Sequence, residues 1–405
     1  MKLQIRYSTL SVLYYAMCMC LMTIYQVVAM RTMEHGVEPM RGTGILTCLV
    51  LVVLSGSLLK FRLIPGYKCY KPTLTMTQFL AYFCWVFVPI MTNDIEGETM
   101  DQITALVKQV LPIFSLLMTY NFLRNHRDSK LFSWYFCVSS VLFAIQYFLI
   151  MRELFPEIMH MVVSYYTLYM LPLILLTCGN KRRVAFVVFT LLVLITSIKR
   201  GGIIAMGGGL AVYAIAYMIA SPKVKVSAII GGLVVVVGLG AMFVSMANTD
   251  ENDLMERFSN MENDEGSGRT VTWAKTYALI ENSDAGSLIL GHGYKAVEQD
   301  SQMGWSAHND FLEVCYDYGL IGLILFTLAE LSLMMDVIGH LRRKTPYAQA
   351  MSFFFASTFM LSMASHVIVY QWVNVVMLTI SYVAGRQKLD EQNKILAEQV
   401  DASHE

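Results

Sequence analysis

The sequence predicts an all-α membrane protein of about twelve transmembrane helices with one large, partly helical outer loop. Three observations predict it. Apolar runs of about 18 to 22 residues recur along the chain, and a bilayer core of about 30 Å takes about 20 helical residues to cross. Of the 405 residues, 56% are hydrophobic and 15% charged, with mean hydropathy +0.52, whereas soluble domains carry about a quarter charged residues. One polar segment, 248–308, interrupts the pattern. Lipid offers no partners to an open backbone, so runs of this length read as helices.

The expected spans are 7–30, 43–60, 74–92, 103–123, 131–151, 158–178, 184–198, 202–220, 226–247, 311–338, 348–369 and 372–385, the seventh and twelfth being short. Lys2 and Arg6 precede the run Tyr7–Met30, which exceeds a signal-peptide core and lacks a small-residue cleavage pattern; it reads as the first anchor. The chain then divides into spans one to nine (1–247), the outer loop (248–310), spans ten to twelve (311–385) and a polar tail (386–405) that reads as a solvated helix.

Charge orients the scheme. Placing the N-terminus inside puts twenty Lys or Arg in the inner segments and nine in the outer ones. Positive residues favour the cytoplasmic side, so both termini are expected there and the long loop faces outward. The acidic outer segment 93–101 agrees. Net charge is zero, which gives no global field for nucleic acid. The eight cysteines lie almost all in or beside apolar spans without metal-ligand spacing and read as small buried hydrophobes. No internal repeat, phosphate-binding glycine motif or zinc pattern is present. No metal or other cofactor is expected.

The loop has two parts. Residues 248–265 are acidic. Residues 270–282 read as a helix with Val271, Ala274, Tyr277, Ala278 and Leu279 tending to one face and Ser267 or Gly268 as cap. Gly286, Gly291, Gly293 and Gly304 mark the remainder as loop.

Several residues could carry chemistry. Arg200 lies at the outer end of the seventh span, where an arginine is ordinarily a snorkelling anchor. It is followed by Gly201 and Gly202, which permit close backbone approach and open a helix whose N-terminus favours anions. Arg269 begins the loop helix, either as a solvated charge or as a bidentate phosphate contact; Arg257, in acidic surroundings, competes with it. His308 ends the loop where the chain re-enters the membrane, and its near-neutral pKa suits removal of a proton from a hydroxyl group. Asn309, Asp310 and Glu313 follow closely enough to orient it or an acceptor. His292 reads as loop architecture or a second active-site group, and Trp305 and Tyr294 as rings near the site on which a ligand could stack. Glu330 and Lys108 are candidates for a pair inside the bundle, Asp336 needs no explanation near the inner boundary, and His366 is a candidate lining residue.

The order Arg269, an aromatic, Gly291-His292-Gly293, His308-Asn309-Asp310-Phe311-Leu312, then Gly319-Leu320-Ile321-Gly322 opening a membrane helix resembles the O-antigen ligase and polymerase family of bacterial membrane glycosyltransferases. The close resemblance spans about 60 residues; span count and loop position extend it loosely over the chain. It implies a GT-C-like bundle in the inner membrane with the loop in the periplasm. The implied donor is an undecaprenyl-diphosphate-linked oligosaccharide and the second substrate an acceptor glycan. Membrane lipids surround the bundle, no nucleic acid is implied, and a chain-length regulator or flippase is the implied protein partner. His308 matches the family's proposed base; Arg200 and Arg269 match its diphosphate contacts. Lys199 stands where the family more often has a small hydroxyl residue, which leaves open which of Lys199 and Arg200 reaches the phosphate. Transfer would be metal-independent and inverting. Polymerisation is favoured over ligation to lipid A core or protein because no added domain for a protein acceptor is visible; a transporter for lipid-linked sugars is the reading from another class.

Overall fold

Apolar runs free of strong breakers fold as helices, and the computed structural model is all-helical across the residues it describes, 7–35, 69–93, 99–126, 130–154, 162–197, 199–220, 269–302, 306–368 and 372–402. In chain order these are α1 (Tyr7–His35), α2 (Leu74–Thr92), α3 (Thr99–Asn125), α4 (Lys130–Leu154), α5 (Tyr165–Thr177), α6 (Asn180–Thr196) and α7 (Arg200–Ala220). Then come α8 (Arg269–Glu281), α9 (Ala285–Leu290), α10 (Ala296–Asp300), α11 (Asp310–Arg342), α12 (Ala348–Ala364) and α13 (Val373–Ala402). Ten of the expected spans fall on these helices; 43–60 and 226–247, like the acidic stretch 248–265, lie outside the described residues.

Length and composition qualify four described helices to cross a membrane: Leu74–Thr92, Phe132–Glu153, Arg200–Ala220 and Asp310–Arg342. Val12–Val28, Val162–Thr177 and Ala348–Ala364 are apolar but shorter. The described residues thus carry fewer full-length spans than the twelve expected. Outward stripes of large apolar side chains at helical spacing accompany them: Trp134, Val138, Val141, Ile145 and Leu149 on α4, and Ile324, Leu328, Leu331 and Met335 on α11. Such continuous apolar faces suit hydrocarbon and not water. Inside, Trp372 is fully buried among Tyr165, Tyr166 and Tyr169, with ring centroids 5.6 to 5.9 Å away. Of the described cysteines, Cys18, Cys137, Cys178 and Cys315 are buried, whereas Cys20, Cys69 and Cys84 are exposed, contrary to the expectation of uniform burial.

Two local features position the polar end of the bundle. On α7, Gly202, Ala205 and Gly209 form a buried face of small residues, the usual way helix backbones approach closely in lipid. A Cβ on Gly209 would lie 2.9 Å from the Phe353 ring of α12, and one on Gly202 would lie 2.6 Å from Tyr165 of α5.

The second feature is a break in α11. The expected span 311–338 is not continuous: Gly319, at φ 70° and ψ −178°, splits it into a short first helix and a long apolar one. The break frees three carbonyls, and all are taken up. His292 N donates to Tyr316 O at 3.0 Å, Gly293 N to Asp317 O at 2.9 Å, and Trp85 Nε1 to Tyr318 O at 2.8 Å. The glycine-flanked histidine segment therefore docks backbone to backbone on the break.

Two further boundaries moved. α12 ends at Ala364, short of 369, because Val367 N and Ile368 N donate to the Asp310 carboxylate (2.8 and 3.3 Å). α13 runs through the expected span–tail boundary at 385 to Ala402.

Candidate active site

The loop helix α8 turns a face inward that apolar periodicity did not predict. Thr272 and Thr276 are buried, Leu279 and Ile280 partly so, while Val271 and Tyr277 are exposed. The inward stripe follows 3–4 spacing from Arg269. It carries the Arg269 guanidinium into the bundle, where a Cβ placed on Gly201 would lie 3.6 Å from Nη2. The inward face is mixed: Leu279 and Ile280 pack on an apolar cluster of Ala296, Val297, Ala307 and Tyr316, and the Thr276 hydroxyl donates to Thr272 O at 2.9 Å, so apolar residues alone do not mark it. Gly286, expected in loop, sits in the short helix α9, whose first turn is capped by Asp284; Gly304 lies outside the described residues.

α7 begins at the same place. The Lys199 carbonyl accepts from Gly202 N and Ile203 N (3.1 and 3.3 Å), which makes Arg200 the first helical residue and Gly201 the second. Arg200 is buried, 8% exposed. The amides of a helix start and the partial positive charge of its dipole thus lie beside the Arg269 guanidinium.

His308 adopts φ 54°, a left-handed conformation uncommon outside glycine. Its ring packs 4.9 Å from that of His366. Burial, then the neighbouring His366, Arg269 and Lys199, push its imidazole down to about 3. Arg269 and Lys199 therefore both bear electrostatically on His308. The ring is neutral at physiological pH and able to accept a proton.

Behind His308 lies a buried polar cluster. His366 Nε2 shares a 2.5 Å hydrogen bond with Ser306 Oγ. Its Nδ1 lies 3.7 Å from Asp310 Oδ1 and 3.8 Å from Glu313 Oε2. Asp310 Oδ2 accepts from Ser362 Oγ at 2.7 Å as well as from the Val367 and Ile368 amides, and Glu313 Oε2 accepts from Ala307 N at 2.8 Å. The His366 carbonyl accepts from Trp372 Nε1 and the Tyr169 hydroxyl (3.0 and 3.2 Å). Asp310 and Glu313 thus fasten the start of α11 to the bend after α12 and fix the wall on which His308 rests.

The remaining expected site residues divide. Asn309 is the N-cap of α11, accepting from Phe311 N and Leu312 N (3.0 and 3.2 Å) and donating to Met363 O; its amide holds the helix start and not the His308 ring. His292 stacks on Tyr316 at 4.0 Å and shares a 2.9 Å hydrogen bond with Ser283 Oγ, the architectural alternative. Lys108 lies 6.0 Å above the Tyr294 ring, and Glu330 Oε2 is buried without a hydrogen-bond partner among the described residues, so the two do not pair with each other. Trp305 and Arg257 lie outside the described residues.

Asp317 was missed. Its carboxylate accepts from Lys295 N and Val297 N (3.1 and 3.0 Å) and starts α10. An acid set between two tyrosines in an otherwise apolar run was the available signal.

Residues 185–327 match the family model described as O-Antigen ligase. About a third of the chain is therefore similar to the O-antigen ligase family. The match spans α7, α8 and the first half of α11, and so contains Lys199, Arg200, Arg269, His308 and Glu313 but not His366. No curated protein matches the chain. The matched segment supports a function of O-antigen ligase or polymerase type, and the apolar helices suit a membrane protein.

Proposed function

We propose that this O-antigen ligase-type protein transfers glycan from an undecaprenyl-diphosphate-linked donor to a sugar hydroxyl on the outer face of the bacterial inner membrane. The observation that supports it most is the convergence of Arg269, the Lys199–Gly202 helix start and neutral His308 at one end of the bundle. His308 takes the proton of the acceptor hydroxyl as its oxygen bonds to the anomeric carbon. The bond from that carbon to the diphosphate oxygen breaks, and the departing negative charge falls to Arg269, Arg200 or Lys199, and the amides of α7. Attack opposite the leaving group inverts the anomeric centre. Lys199 joins Arg269 as a charge felt at His308, which favours a three-cation grip over a pair of arginines. His366, held by Asp310 and Glu313, positions the base.

Polymerisation, with both substrates lipid-linked, is the preferred outcome, and ligation to lipid A core or protein is the alternative with the same chemistry. The test is transfer in proteoliposomes holding purified protein, lipid-linked donor and acceptor, without ATP or ion gradient. A new glycosidic bond is expected. Movement of donor across the bilayer with no bond formed would replace the enzyme by a transporter.

A further inference from the structure

A cavity of about 600 Å³ lies at the other end of the bundle, among α4, the α5–α6 turn, the start of α12 and the middle of α13. α6 starts beside this cavity, where Gly179, Arg182 and Arg183 line it, and runs about 25 Å at 1.5 Å per residue to Thr196, four residues before α7 begins.

The cavity lining carries more positive than negative side chains. Arg182, Arg183 and Arg386 line it, and none of them forms an ion pair among the described residues. The Arg183 guanidinium hydrogen-bonds the Tyr213 hydroxyl, and its Nε is buried with no hydrogen-bond partner among the described residues. Arg182 stacks 4.9 Å over Trp134 and makes one long contact, 3.5 Å, to Ser133 Oγ. The lining carboxylate, Asp390, accepts a short hydrogen bond from the Tyr347 hydroxyl.

The helix start adds to the imbalance. Lys181, Arg182 and Arg183 occupy the first turn of α6, where the dipole disfavours cations. The N-cap is Gly179, which gives no side-chain acceptor to the first amides. Cations gathered on uncapped helix amides around a cavity are the arrangement an anion relieves. Trp134 also begins the outward apolar stripe of α4, so a group seated among the arginines could run its acyl chains down that stripe.

We infer that this cavity binds a phosphate group, and that its source is the headgroup of an anionic membrane lipid. Arginine forks take the phosphate oxygens, the α6 amides add donors, and Trp134 marks the headgroup level where the chains leave.

The experiment uses the full chain in phosphatidylcholine nanodiscs with phosphatidylglycerol titrated in, read by native mass spectrometry of retained lipid and by thermal shift. Sodium pyrophosphate in phosphatidylcholine discs is the second arm. Wild type should retain phosphatidylglycerol over phosphatidylcholine. Arg183→Gln with Arg386→Gln should weaken retention about tenfold per arginine, and Asp390→Asn should tighten it. Equal retention by wild type and the double variant overturns the site. Pyrophosphate binding as tight as phosphatidylglycerol overturns the lipid as source. If the double variant fails to fold in phosphatidylcholine alone, Asp390→Asn decides, and unchanged or weaker retention overturns the proposal.

Discussion

Gly319→Ala removes no polar atom, yet it should undo the docking of the loop on α11. At φ 70° and ψ −178° the native backbone is one that side-chain-bearing residues rarely adopt, a strain of about 1–3 kcal/mol. The added Cβ would also lie 2.3 Å from Ile289 O and 2.5 Å from Gly291 N. Both are backbone atoms, so no rotamer change relieves the overlap, which adds about 1–3 kcal/mol. The sum, roughly 2–6 kcal/mol, bears on the break and on the two amide–carbonyl contacts from His292 and Gly293. Limited proteolysis between residues 283 and 302, together with thermal unfolding in detergent, measures it. The variant should be cut faster and melt lower. Gly207→Ala, with nothing within 4 Å of the new Cβ, should be neutral or stabilising by up to about 1 kcal/mol. A Gly319→Ala protein with wild-type protease resistance and melting would refute the reasoning.

Three more outcomes are expected. Arg269→Ala should abolish transfer without loss of inserted protein, and Arg269→Lys should rescue only in part because a point charge lacks the guanidinium fork; full rescue by Lys would deny bidentate contact. Lys199→Ala should weaken donor binding and, by removing a positive charge that acts on His308, raise the pH at which His308 titrates; an unmoved profile would take Lys199 away from the site. Single cysteines at Glu281 and Arg343, treated with an impermeant thiol reagent in spheroplasts, should label at 281 alone, and labelling at 343 alone would invert the topology.

Periodicity and charge carried the helical class and most helix positions, because span length and burial of backbone polar groups are properties of local sequence. Arg269, Lys199, Arg200 and His308 were also legible, as cations and a histidine where a polar loop meets apolar runs. What was not legible depends on pairing across the chain. The inward face of α8 mixes buried Thr272 and Thr276 with Leu279 and Ile280, which pack on Ala296, Val297 and Tyr316 from elsewhere in the chain. The break at Gly319 exists because the Gly291–Gly293 backbone supplies amides to the freed carbonyls, and no local signal distinguishes it from a glycine inside a helix. Asp310 and Glu313 looked like acids beside a base; their place behind His366 required the bend after α12, which Asp310 itself creates. Asn309 looked like a partner for His308 and became a helix cap for the same reason.

In the proposed mechanism neutral His308 takes the proton during transfer, and the rate of transfer against pH for wild type and His308→Gln, with donor binding measured alongside, decides whether it does. Sequence alone expects a limb near the unperturbed value of about 6.5. With burial and neighbouring cations holding His308 at about 3, kcat/KM, which reports the free enzyme, should carry no His308 limb between about pH 5 and 8. The limb in kcat should lie higher, because bound diphosphate favours the imidazolium. Because the neutral form is active, rate rises with pH through either limb. His308→Gln should bind donor normally and lose roughly 10²–10⁴-fold in transfer. A Gln variant that transfers at the wild-type rate with the same pH profile would contradict the account.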